Sequence, residues 1–361
     1  MLEPAARPRR RTLLVSLVAV GLLIAATALT VSWFTDLRTL VRVLESGRWP
    51  WIAAAIATLA VYFLAYALLY RLGFAVVGVP SRTWSLVPVM FAGLFVNLMV
   101  PTGAGAAALF VDDAVRRGQN GARATIGFVL VLLLDLLTVV PFVAWGMAFL
   151  VHEGMFEPWQ LLAALAFVMY LVLLVVLIAL SRSRQASVCR VLGWSYRAIH
   201  RALGWIRVRG PAADWPARTA AGFADAAGAI VANPGRLALA GLWGIVIHLL
   251  NAFGLWLFVR GFGAHVPIGG LIAAFALGIV LLVIAAIPQL APLAQAFMTA
   301  TFISLGVAAG PAVAATLAFR GLTLGLPMVL GLPFAWRIGR LGTRPTRVRA
   351  WRARAADGHR G

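Results

Sequence analysis

Residues 84–115 read WSLVPVMFAGLFVNLMVPTGAGAAALFVDDAV, an apolar run broken in its middle by Pro101-Thr102-Gly103-Ala104-Gly105. Proline removes a backbone donor and clashes with the preceding turn, and clustered glycines weaken a helix further. Non-helical backbone at membrane depth survives only where protein or a water-filled cavity satisfies it. The stretch therefore predicts two short helices forming a hairpin that enters and leaves by one side, its turn built on Pro101, Gly103 and Gly105. A second stretch, Ile268–Leu305, is interrupted by Pro288 and Pro292, with Gln289 and Gln295 beside the break. It predicts a second hairpin.

Around these hairpins the chain is a membrane protein throughout. Of its residues 62% are hydrophobic and 12% charged, and its mean hydropathy is +0.95. A soluble domain carries about twice that charge. Continuous spans are predicted at Thr12–Trp33, Pro50–Tyr70, Ala124–Leu150, Trp159–Leu180, Arg236–Val259 and Ala312–Trp336. Each apolar run is long enough to cross about 30 Å of hydrocarbon. Thr12–Trp33 exceeds a signal-peptide core, and Ala26-Thr27-Ala28 is a weak cleavage site inside it, so the expectation is a retained first span. The fold class is all-α, a polytopic transmembrane helix bundle with two broken, re-entrant hairpins.

Arginine distribution orients the bundle. With the N-terminus inside and the chain threaded as span, span, hairpin, span, span, span, hairpin, span, 26 of the 31 arginines fall on the cytoplasmic side. Positive-inside bias predicts this asymmetry. It divides the chain into a basic N-terminus (1–11), a first membrane half (12–180, hairpin 84–115) and a cytoplasmic linker (181–235). A second membrane half (236–336, hairpin 268–305) and a basic tail (337–361) follow, with both termini cytoplasmic in a cell or inner membrane. The first hairpin then opens inward and the second outward. Phe91…Pro101…Gly118 parallels Phe275…Pro288…Gly306, so the halves read as an inverted repeat, the arrangement that marks transporter binding sites. Two unrelated proline-kinked spans are the alternative.

Charge at +20 could suggest nucleic acid, but the arginines lie between apolar runs, where they contact anionic headgroups of the cytoplasmic leaflet. No nucleic-acid partner is expected. All the basic residues are Arg and none Lys. GC-rich codon usage is the ordinary reading of that, and bidentate phosphate recognition by guanidinium the alternative. In the linker, Val188, Leu192, Ser195, Ile199, Leu203 and Ile206 recur at helical spacing, with Arg190, Arg197 and Arg201 on another face. That pattern suits a helix lying in the headgroup plane; a partner-binding basic helix is the alternative.

Chemistry-bearing motifs are few. The sequence has no nucleotide-binding glycine loop, HExxH, nucleophile elbow or CxxC, and its one cysteine is Cys189. No enzyme activity, catalytic residue, metal or cofactor is expected. Polar residues at membrane depth carry more information, because charges there are costly and face a cavity or partner. Asp135 and Arg320 are the clearest, and counting along their spans puts both at one depth, as a direct pair or as two walls of one hydrated cavity. Asn97, Asn251, Gln289 and Gln295 can bond between helices. For His248, mid-span, a neutral histidine bonded to a neighbouring helix is the ordinary reading and a proton relay the alternative. Asp112 and Asp113 precede Arg116 and Arg117 by four residues, as i,i+4 ion pairs do.

The run Asn97-Leu98-Met99-Val100-Pro101-Thr102-Gly103-Ala104-Gly105, followed by Arg116-Arg117-Gly118, resembles the first signature of the lysylphosphatidylglycerol synthetase transmembrane-region family, also called flippase-like membrane proteins. Pro288, Gly306 and Phe319-Arg320-Gly321 resemble the second. The resemblance covers nearly the whole chain. It implies a multi-span inner-membrane protein; some members translocate aminoacylated phosphatidylglycerol between leaflets, and others are linked to lipid-carried sugars. Departures are visible. Gly105-Ala106 stands where members often show Gly-Glu, and Leu132 and Leu133 where they often show Glu-Arg. Ala291, Pro292, Ala294 and Gln295 occupy a stretch where members usually carry a glycine-rich turn and a glutamate. The tail after the last span predicts no soluble aminoacyl-transferase domain.

These features predict a translocase of a phospholipid or lipid-linked envelope precursor, acting alone or beside a separate lipid-modifying synthase or glycosyltransferase. The substrate-binding candidates are Asp135, Arg320, Asn97, Pro101, Gly103, Gly105, Pro288, Gln289 and Gln295. One alternative is an accessory membrane scaffold for an envelope-lipid or glycan enzyme. Another is a membrane-embedded glycosyltransferase-like enzyme, disfavoured by the lack of an acidic metal-binding pair in the loops.

Overall fold

The computed structural model describes residues 38–99, 104–183, 231–285 and 291–342, with isolated helical positions between 186 and 228. All regular structure among these residues is helical. The elements are α1 (Trp49–Val76), α2 (Thr83–Met99), α3 (Ala104–Arg116), α4 (Gly121–His152) and α5 (Pro158–Ser183). After the linker come α6 (Pro234–Gly261), α7 (Ile268–Ala285), α8 (Ala291–Ser304) and α9 (Ala309–Gly342). Five of them, α1, α4, α5, α6 and α9, are long and apolar enough to cross a membrane. The expected span Thr12–Trp33 lies outside the described residues.

Both interrupted stretches are two helices each, α2 with α3 and α7 with α8, and in each case the two arms pack together. Glycines permit the approach. A side chain on Gly105 would strike Val96 of the opposite arm, and one on Gly93 would sit 3.2 Å from the Phe110 ring. Pro292 does not break a helix, as the sequence suggested. It lies in the first turn of α8, where a proline lacks no intrahelical partner.

The centre of the bundle is the α1–α6 pair. Both helices are 28 residues long, with proline in the first turn. Each is closed by a glycine of positive φ, Gly78 at 73° and Gly263 at 78°. The Val79 N–H donates to Phe74 and the Ala264 N–H to Val259, the closure that left-handed glycine caps provide. The pair is antiparallel and tied at both ends. The Arg48 N–H, before α1, donates to the carbonyl of Gly261, which ends α6, at 2.8 Å. At the opposite end Asn233 Nδ2, before α6, donates to the carbonyl of Val76, which ends α1, at 3.0 Å.

The remaining helices follow a reciprocal scheme. The first arm α2 packs on α9, the span that follows the other hairpin, and α7 packs on α4. A glycine makes each contact close: Gly331 lies against the Phe91 backbone, and Gly146 against the Ala273 backbone. Gly146 and Gly331 stand as far apart in sequence as Gly78 and Gly263. Two apolar clusters result. One joins the end of α1 (Phe63, Tyr66, Phe74) to Met90, Phe91 and Phe110 of the first hairpin. The other joins the start of α1 (Ile52, Leu59) to Phe275, Met298 and Phe302 of the second. The hairpins thus sit at opposite ends of the α1–α6 pair, and α5 packs to one side on α4 and α7.

Candidate functional site

Between the two apolar clusters the bundle holds a group of polar side chains. Tyr62, Tyr66 and Tyr70 recur every four residues along α1, so they line one face. The rings of Tyr62 and Tyr66 stack at 5.9 Å, Tyr66 meets Tyr70 edge-on at 5.4 Å, and Tyr70 stacks on Phe110 at 4.3 Å. The α4 face opposite supplies Asp135. Tyr66 donates its hydroxyl proton to Asp135 Oδ2 at 3.3 Å.

On α6, His248 is 5% exposed. Its Nε2 lies 3.0 Å from the main-chain oxygen of Asp135 and 3.5 Å from Oδ1 of the same residue. The imidazole is wedged edge-on between Phe142 and Phe275, and its Nδ1 is buried with no hydrogen-bond partner among the described residues. One turn later Asn251 is buried, with Oδ1 also unmatched. The expected bond from His248 to a neighbouring helix is therefore present, and its acceptor belongs to Asp135.

Arg320 comes from α9 and is 7% exposed. Nε and Nη2 of its guanidinium are buried and bond nothing among the described residues. It reaches toward α7 and α8: a side chain on Gly278 would come within 2.7 Å of Nη2 and would also strike Met298. The guanidinium lies 5.8 Å over the Phe319 ring. No ion pair joins Arg320 to Asp135 among the described residues, so of the two arrangements expected from sequence the direct pair is absent. Both groups lie along α7: His248, beside Asp135, packs on Phe275, and Arg320 reaches Gly278 three residues further on. A buried donor left unmatched costs about 1–3 kcal/mol, and more when charged.

Other candidates fall elsewhere. Asn97 is exposed on α2, not turned to a neighbouring helix. Gln295 is half-buried on α8, where its main-chain carbonyl accepts from Thr299 Oγ1, which also meets Thr316 Oγ1 at 2.7 Å. Gly105 serves the close approach of the hairpin arms. Pro101, Gly103, Pro288 and Gln289 lie outside the described residues. Asp112 pairs with Arg116 at 2.8 Å and Asp113 with Arg117, the helical ion pairs expected. Of the amphipathic linker helix, Arg190, Trp194 and Arg197 are helical and the apolar positions lie outside the described residues. Among the described residues no three His, Cys, Asp or Glu side chains cluster to hold a metal. The tyrosine face went unnoticed in the sequence, although Tyr62-x3-Tyr66-x3-Tyr70 inside a span was the available signal.

The chain belongs to the lysylphosphatidylglycerol synthase TM region family, whose model matches residues 17–331. No curated protein and no solved structure matches it.

Proposed function

We propose that this member of the lysylphosphatidylglycerol synthase TM region family is a translocase of an anionic phospholipid or lipid-linked envelope precursor, with no catalytic step of its own. The observation that carries the reading is Arg320, a buried guanidinium whose Nε and Nη2 have no partner among the described residues. A cation at this depth is expensive unless something pairs with it, and a phosphodiester headgroup matches guanidinium in charge and geometry. Support comes from the two hairpins at opposite ends of an antiparallel helix pair. Read as inverted halves, they form two half-cavities meeting at Arg320 and Asp135, through which a headgroup crosses while its tails stay in lipid. The arginine-rich linker and tail hold the protein to anionic lipid on the cytoplasmic leaflet of the cell membrane. A synthase or glycosyltransferase making the lipid is the natural partner.

The test is reconstitution into vesicles containing fluorescent phosphatidylglycerol, with a membrane-impermeant quencher added outside. Vesicles with protein should lose the inner-leaflet signal that protein-free vesicles retain. Retention of that signal for every headgroup tried, including a glycosylated isoprenoid phosphate, contradicts the reading and favours a scaffold.

A further inference from the structure

We propose that Asp135 and His248 form a proton-binding site, so that the protein moves one proton together with each anionic headgroup held at Arg320. This rests on the translocase reading and adds its driving force. The site without ligand holds one positive guanidinium and one carboxylate, brought near each other along α7: His248, beside Asp135, packs on Phe275, and Arg320 reaches Gly278 three residues further on. With neutral His248 their sum is zero. An anion alone would make the group net negative, and a proton alone would make it net positive. Either state places an uncompensated charge in a low-dielectric interior, which is costly. Anion and proton together restore neutrality. The empty form and the doubly loaded form are therefore the two that can reorient cheaply, and this couples the two ligands.

The dyad is built for the proton. Asp135 has Oδ2 on the Tyr66 hydroxyl and Oδ1 3.5 Å from His248 Nε2, and the buried Nδ1 of His248 has no partner among the described residues. His248 Nε2–H donates to the Asp135 main-chain oxygen, so the bound proton rests on Oδ1, or on Nδ1 at the far side of the ring. Few other groups compete. Facing Asp135 are Tyr62, Tyr66 and Tyr70 from α1 and His248 from α6. Helices α2, α7 and α8 contain no ionisable residue. On α3, Asp112 and Asp113 are paired with Arg116 and Arg117, and on α5 Tyr170 is exposed.

Two measurements test the coupling. In the first, soluble short-chain phosphatidylglycerol is added to detergent-purified protein in weakly buffered solution, and the pH is followed. The expected result is uptake of one proton per chain, absent with phosphatidylcholine and absent in Asp135→Asn. In the second, a pH gradient of one unit is imposed on vesicles carrying the protein and fluorescent phosphatidylglycerol. One coupled proton supports a leaflet ratio of up to about tenfold, which collapses to equality in Asp135→Asn and His248→Gln. Binding without proton uptake, or equilibration to equal leaflets regardless of the gradient, overturns the proposal while leaving translocation standing. Failure of any lipid to cross with or without a gradient counts against the translocase reading instead. Proton uptake on lipid binding then still decides the coupling between the two ligands.

Discussion

Asp135 and Arg320 form no ion pair among the described residues: Tyr66 and His248 hold the carboxylate, while Nε and Nη2 of the guanidinium have no partner there. A protein that needed these charges only for stability would bring them together, because breaking a buried pair leaves an expensive orphan. Here the acid is satisfied by neighbours on α1 and α6 and the base is left open beside Gly278. On the translocase reading proposed above, the anion falls to Arg320 and the proton to Asp135.

The antiparallel tie between α1 and α6 predicts a modest, measurable loss. Asn233→Ala removes the bond from Nδ2 to the Val76 carbonyl, worth about 1 kcal/mol for a half-buried hydrogen bond. Unfolding of the purified protein in mixed micelles should shift to lower denaturant by that amount. An unchanged midpoint would show that the bond adds nothing to the clamp.

Glycine at helix contacts predicts a sign reversal between two identical substitutions. At Gly146 a Cβ would come within 2.6 Å of Ala273 Cα and 2.9 Å of its N. Backbone cannot swing aside, so Gly146→Ala must part α4 from α7, at a cost of roughly 1–3 kcal/mol. Gly241, on α6, meets nothing within 4 Å, so Gly241→Ala should stabilise the helix by up to about 1 kcal/mol. Thermal stability in detergent should rank Gly241→Ala above wild type and Gly146→Ala below it.

Topology has a direct chemical probe. Cys189 is the single native thiol and lies in the linker that the arginine distribution assigns to the cytoplasm. An impermeant maleimide should label it in inverted vesicles and leave it unlabelled in intact cells. Labelling from outside intact cells would reverse the orientation.

Hydropathy located the helices well because lipid demands long apolar runs, and it misplaced their ends for a physical reason. The runs predicted at Pro50–Tyr70 and Ala312–Trp336 are helices over Trp49–Val76 and Ala309–Gly342. Charges such as Arg71 and Arg337 end an apolar run, but backbone bonding continues past them. The hairpins were legible because proline and glycine interrupt an otherwise unbroken run. In the candidate site, Asp135 and Arg320 stood out as charges inside spans, but the partners of Asp135 did not. A tyrosine in a span is common, and nothing local reveals that Tyr66 meets a residue 69 positions away. His248 was visible only as a buried histidine; its acceptor on Asp135 comes from tertiary packing.

Arg320 carries the central claim, and a double-mutant comparison tests it most directly. Arg320→Gln, Asp135→Asn and the double variant are purified, and folded yield and fluorescent phosphatidylglycerol translocation are measured for each. The account predicts that Arg320→Gln folds at wild-type yield and loses translocation, and that adding Asp135→Asn restores none of it. Wild-type translocation by Arg320→Gln, or low yield in each single variant with recovery in the double, would contradict it.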